Sequence, residues 1–237
     1  MLKMGKKTFI AISLLLLSNL LLAQTQKVRN QPYGDYKLYH FGISVGLNFQ
    51  DILLTNSGLT NENGETWFGT IPNYSAGFTV GLIADLYLNP YMNLRFTPML
   101  CFGDMGFEFV EPTTKQTFTT DVRSNNLVLP LDLKLRSMRL NNYRPYILTG
   151  VYSAINMGRK KDEPILLKPM DYGVSIGLGC DFYLPFVKVI PEIRFCFGLS
   201  DLLEHNRPDL TDYNLTKYPT ALSKGVSRMI IFTFNFE

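Results

Sequence analysis

From Tyr39 onward the odd positions Tyr39, Phe41, Ile43, Val45, Leu47 and Phe49 are apolar, while His40, Gly42, Ser44, Gly46, Asn48 and Gln50 between them are polar or tiny. Alternation at period two predicts a β-strand with one greasy face and one polar face. Strand two repeats it with Tyr74, Ala76, Phe78, Val80, Leu82, Ala84 and Leu86 set against Ser75, Gly77, Thr79, Gly81 and Asp85. In strand three Met92, Leu94, Phe96, Pro98, Leu100 and Phe102 oppose Asn93, Arg95, Thr97, Cys101 and Gly103. Met105, Phe107 and Phe109 then continue on the other parity, which predicts a β-bulge near Gly103 and Asp104.

Strand four sets Leu127, Leu129, Leu131, Leu133 and Leu135 against Asn126, Asp132, Lys134 and Arg136. Leucines at this spacing cannot share one face of a helix. Strand five, 143–154, is ambiguous, because Ile147 and Val151 compete with Tyr146, Leu148 and Tyr152 for the outer face. Strand six alternates cleanly from Tyr172 to Phe182. Strand seven turns Lys188, Glu192, Arg194 and Gly198 inward, and strand eight alternates Ile230, Phe232, Phe234 and Phe236 with Met229, Ile231, Thr233 and Asn235.

Joints between these strands alternate in length. Residues 55–73, 111–124, 156–171 and 200–224 form long polar connections, whereas 89–91, 138–142 and 184–186 are short. This rhythm predicts an all-β fold, an eight-stranded antiparallel transmembrane β-barrel of up-and-down meander type, with short periplasmic turns, long extracellular loops and both termini periplasmic. A soluble barrel would put its large apolar side chains inside. Here the apolar face carries the rings and leucines, and the polar face is rich in Gly, Ser, Asn and Thr suited to a narrow lumen.

The N-terminus changes the compartment. Lys3, Lys6 and Lys7 precede an apolar run at 9–22 that is short for a bilayer span, and Ala23 closes a small-residue cleavage site. Residues 1–23 are expected to be a cleavable signal peptide, 24–38 a periplasmic segment and 39–237 the barrel. The formal charge of +3 disappears with the three signal lysines, so no basic stripe points to nucleic acid. Three cysteines without a CxxC spacing give neither a disulfide framework nor a zinc site.

Candidate chemistry is sparse. His40 and His205 are expected at opposite ends of the barrel. His205 lies near Ser200, Asp201, Glu204, Asp209 and Asp212, formally a nucleophile, base and orienter, but the spacing matches solvated loop charge better than a catalytic or calcium motif. Trp67 is either an exposed contact residue or part of a loop packed on itself. No enzyme activity, cofactor or small-molecule substrate is expected. The inward charges are more informative: Asp85, Arg95, Asp132, Lys134, Arg136, Asp181, Lys188, Glu192 and Arg194 have both signs. In a barrel of this size they are expected to pair and plug the lumen, a small aqueous pore being the alternative. Phe232, Phe234 and Phe236 form a C-terminal aromatic row suited to recognition by the barrel-assembly machinery, with Glu237 as a dispensable overhang.

Several stretches resemble the PorT family, also called SprT. They are 40–46, 133–137, 142–146, 177–183, 191–195 and 198–203, reading HFGISVG, LKLRS, NYRPY, GLGCDFY, PEIRF and GLSDLL. The resemblance implies an outer-membrane accessory of type IX protein secretion and gliding motility, a scaffold or assembly factor with outer-membrane lipid and other secretion components as partners. A general surface barrel that binds an external ligand or cell through its long loops is the alternative.

Overall fold

The computed structural model describes residues 29–60, 64–71, 75–112, 114–158, 164–204 and 218–237. The expected signal peptide at 1–23 lies outside them, as do His205, Asp209 and Asp212. Twelve strands are seen: β1 (Tyr39–Asn56), β2 (Phe68–Thr70), β3 (Ala76–Asn89), β4 (Met92–Phe96), β5 (Met99–Phe102), β6 (Asp104–Glu111), β7 (Gln116–Arg123), β8 (Asn126–Arg136), β9 (Tyr143–Asn156), β10 (Met170–Tyr183), β11 (Lys188–Gly198) and β12 (Leu222–Phe236). No helix among the described residues is long and apolar enough to cross a membrane.

One sheet closes on itself in the order β1-β12-β11-β10-β9-β8, then β4 with β5, then β3, back to β1. The β4 and β5 segments fill one position of an eight-membered ring. Their separation falls at Thr97 and Pro98, opposite Leu129 and Pro130, where two prolines remove two ladder donors. Closure runs from Ile43 opposite Phe236 to Asn56 opposite Leu222. A closed ring leaves no unpaired edge, which a hydrocarbon surrounding demands.

The alternation is realised as expected. Phe41, Leu82, Leu131, Val151, Ile176 and Phe234 point outward and exposed, while Ser44, Asp85, Asp132, Ser175 and Asn235 are buried in the lumen. Strand five resolves by the same geometry: Tyr143, Ile147 and Val151 face out, and Tyr146, Leu148 and Tyr152 face in. Tyr146 is registered opposite Gly179 and Tyr152 opposite Gly173. A Cβ at either glycine would collide with the tyrosine ring, so these inward glycines are the space into which the rings fold.

Two expectations need correction. No phase slip occurs near Gly103, because Met99, Cys101, Met105, Phe107, Phe109 and Glu111 are all buried on one parity. What changes is the environment: below Gly103 that face meets the lumen, and above it an apolar core. The connection 111–124 is likewise no loop. It is the turn and second strand of the β6–β7 hairpin, which joins β2 in a separate three-stranded sheet beyond the barrel. Phe107 and Phe109 pack there with Trp67, Ile165, Leu203 and Leu222, and Trp67 stacks edge-on against Tyr218 at 5.3 Å. Trp67 is thus a buried member of a cap over the long-connection end.

Candidate functional site

The lumen is the site that the sequence pattern singles out. The inward charges are shared among β3, β4, β8, β10 and β11, so the barrel wall sets their spacing. Asp85 on β3 and Arg95 on β4 face one another in register. Asp132 and Lys134 project from β8, Asp181 from β10, and Lys188, Glu192 and Arg194 from β11.

Arg95 is the hub. Its Nη2 lies 2.8 Å from Asp85 Oδ2 and 3.0 Å from Glu237 Oε1, and its Nη1 lies 3.1 Å from Glu192 Oε2. Arg194 continues the chain, 3.0 Å from Glu192 Oε1 and 2.7 Å from Asp132 Oδ2. Lys134 sits 2.8 Å from Asp181 Oδ1, 3.9 Å from Asp85 Oδ2, and 4.1 Å above the Tyr146 ring. Lys188 pairs with Glu237. Neutral groups fill remaining acceptor sites: Tyr146 donates to Glu192 Oε2 at 2.6 Å and Ser175 to Asp132 Oδ1 at 2.6 Å.

Four cations and five carboxylates are thereby linked into one belt, all nearly excluded from solvent. Buried ions are tolerated only when paired and hydrogen-bonded. The belt meets that requirement by giving Arg95 three carboxylates and every carboxylate at least one cation.

Eight of the nine expected lumen charges join this belt. Arg136 does not: it points inward nearer the short-turn end, donates to Asn89 O at 3.2 Å and lies over Tyr87 at 5.5 Å. Glu237 is the reverse case. It is no overhang, because its side chain turns into the lumen and binds Arg95 and Lys188. The signal was its parity, since Glu237 continues the inward series Met229, Ile231, Thr233 and Asn235. Phe232 and Phe234 are exposed on the outer face and Phe236 is half-buried there.

On the long-connection side of the belt an apolar layer of Met99, Cys101, Val128, Tyr152, Cys196 and Met229 fills the barrel. The cysteines are free thiols. Next come polar clusters in which Gln50 bonds Ser124 and Asn126, and Ser227 donates to Asp171. A void of about 30 Å³ among these groups has room for about one water. The apolar cap covers them.

The short-turn end is closed by residues before β1. A 3₁₀ turn at Gly34–Tyr36 sets Asp35 against Arg139 at 3.2 Å and Arg144 at 3.3 Å, and Tyr183 donates to the same carboxylate. Burial alone would raise the Asp35 pKa, but the Tyr183 hydroxyl and the Arg144 and Arg139 guanidinia outweigh it and hold the carboxyl below its ordinary value. Sequence reasoning missed this cluster because its members are scattered through a 3₁₀ turn, the short connection after β8, the start of β9 and the end of β10. His40 donates from Nε2 to Gly34 O, 2.7 Å away. Asp201 accepts from the Leu203 and Gly225 amides, which commits it to holding its connection.

A closed eight-membered ring, an apolar outer face and, among the described residues, a lumen crossed by buried ion pairs define a membrane-spanning β-barrel. Residues 22–204 match the family described as outer membrane protein beta-barrel domain, and the chain belongs to that family of Gram-negative outer-membrane proteins. No curated protein matches it. Solved structures similar to it include the outer membrane protein OprG from Pseudomonas aeruginosa, at 12% identity and TM-score 0.49, covering 83% of this chain and 94% of that one. Neisserial surface protein A is similar at 9% identity and TM-score 0.41, covering 84% and 98%.

Proposed function

We propose that this barrel is a non-enzymatic accessory of type IX protein secretion, a scaffold or assembly factor held in the outer membrane with both termini in the periplasm. The observation that carries the reading is the sealed lumen. Ion pairs, an apolar layer, a cap and an N-terminal closure occupy the barrel from end to end, so its use lies in what its two rims and its wall hold in place. The PorT-like stretches supply the particular system. One of them, 191–195, carries Glu192 and Arg194 of the belt, and another, 142–146, carries Arg144 and Tyr146. Secretion components contact the rims, lipid covers the wall, and the barrel-assembly machinery reads Phe232, Phe234 and Phe236 during insertion.

The test is a clean deletion in the source bacterium. Cargo proteins of the system should accumulate in the periplasm and surface motility should be lost, both restored by the wild-type gene. Normal cargo release and motility in the deletion strain overturn the assignment.

A second reading, surface recognition through the long connections, is favoured by the β2–β6–β7 sheet and its packed core, which hold that rim rigid. Replacing 55–73 and 200–224 separates the two. A recognition barrel loses ligand or cell binding while secretion continues.

A further inference from the structure

The short-turn end carries a second group of cations that the lumen belt does not use. Arg29, Arg136, Arg139 and Arg144 line a cleft of about 210 Å³, and Asp35 is the one carboxylate among the described residues that line it. Three positive charges are therefore in excess there. Arg139 and Arg144 are spent. The Arg139 guanidinium donates to Asp35, to the Gln31, Asn30 and Asn141 carbonyls and to the Asn142 side chain. Arg144 pairs with Asp35 and donates to the Ser137 and Pro90 carbonyls.

Arg136 is not spent. It is 6% exposed, its Nη2 donates to Asn89 O at 3.2 Å, and its Nε is buried with no partner. Among the described residues no carboxylate forms an ion pair with this enclosed guanidinium, and a buried donor left unmade costs free energy that an incoming acceptor would recover. Around it stand Tyr87, Tyr36 and Met138, which make the walls apolar and aromatic.

We propose that this cleft binds a carboxylate carried on an apolar or aromatic body, in particular the C-terminal carboxylate of a polypeptide. Arg136 supplies the buried cation and Arg29 the exposed one. The planar edge of a single guanidinium matches the two oxygens of a carboxylate. Inorganic phosphate would leave the Tyr36, Tyr87 and Met138 walls uncovered, so the apolar body of the acid is what separates the two anions. A lipid headgroup is disfavoured by position, because Tyr87, Arg136 and Arg144 lie on the inward phase of β3, β8 and β9, which places the cleft at the mouth of the barrel and not on its lipid-facing wall. The site is independent of the type IX assignment.

The experiment is calorimetric titration of the full barrel, purified in detergent at low ionic strength, with N-acetyl-tyrosine, N-acetyl-tyrosinamide and inorganic phosphate. The acid should bind saturably at one site per barrel, with the amide at least about tenfold weaker, as loss of one charge-assisted contact implies, and phosphate at least about tenfold weaker because it covers none of the apolar wall. Arg136→Gln should weaken the acid by about tenfold and Arg29→Gln by about threefold, the smaller loss reflecting an exposed pair. Arg29 is exposed, so its variant tests the site even where Arg136→Gln disturbs the mouth, and heat-modifiable gel mobility verifies folding of both. Equal affinity for acid and amide, phosphate binding as tight as the acid, or unchanged binding in both arginine variants would overturn the proposal.

Discussion

The Lys134–Asp181 pair offers a direct test of whether the belt is held by mutual compensation. The ions sit 2.8 Å apart with side chains 1% and 0% exposed. At that distance and an effective dielectric constant of about 20, their attraction is about 6 kcal/mol, against a desolvation cost of several kcal/mol for each ion. The pair as a whole is therefore worth little over an apolar replacement, although either ion alone is expensive. Lys134→Met keeps the contact with the Tyr146 ring and leaves Asp181 unpaired, which should cost about 3–5 kcal/mol. Asp181→Val should cost about 2–4 kcal/mol, the lower figure because Lys134 retains Asp85 at 3.9 Å. The double variant should lie within about 1 kcal/mol of the wild type. Stability is measured by urea titration of the folded barrel in detergent, followed by Trp67 fluorescence and heat-modifiable gel mobility. Single-variant costs that simply add in the double variant would refute the compensation argument.

Four further outcomes follow from the geometry. Glu237→Gln should lower stability by about 1–3 kcal/mol, since Lys188 loses its carboxylate while Arg95 keeps two, and the urea midpoint reads this. Gly179→Ala should push Tyr146 off Glu192 at a cost of about 1–3 kcal/mol, seen in the same titration. Phe236→Asp should reduce the heat-modifiable barrel recovered from membranes. The purified, refolded variant should stay within about 1 kcal/mol of wild type, which separates a recognition defect from a stability defect. Asp35 has a depressed folded pKa, so its contribution is present above the ordinary carboxylate value of 3.8 and is lost as pH falls through the folded value. Protease cleavage within 29–38 should accordingly increase on acidification below that value, and Asp35→Asn should remove the pH dependence.

The barrel was legible because its signal is local: a two-residue period on seven clean strands fixes which side chains share a face. Strand five was not legible alone, since Tyr146 and Tyr152 face inward only because Gly173 and Gly179 make room across the ladder. Register, which single-strand reading cannot supply, decides it. Phe107 and Phe109 misled for a related reason. Their parity never changed, but apolar residues on the inner phase imply a slip only if the lumen continues, and here it gives way to a cap. Most of the charge belt followed from parity, whereas Asp35 and its arginines lie where no periodicity operates.

Arg95 and Asp85 are 10 residues apart, but Arg95 meets Glu192 across 97 residues and Glu237 across 142. Glu237, directly after β12, thus supplies a counterion to the hub. Until β12 reaches β1, the half-built sheet holds guanidinium and ammonium groups facing a gap with their partners still elsewhere, and the entropy of closing those long loops is spent before the pairs form. Partial insertion into hydrocarbon is accordingly penalised at every stage but the last. The rate of maturation should hinge on a single late event, the arrival of β12, after which reopening requires breaking several ion pairs together.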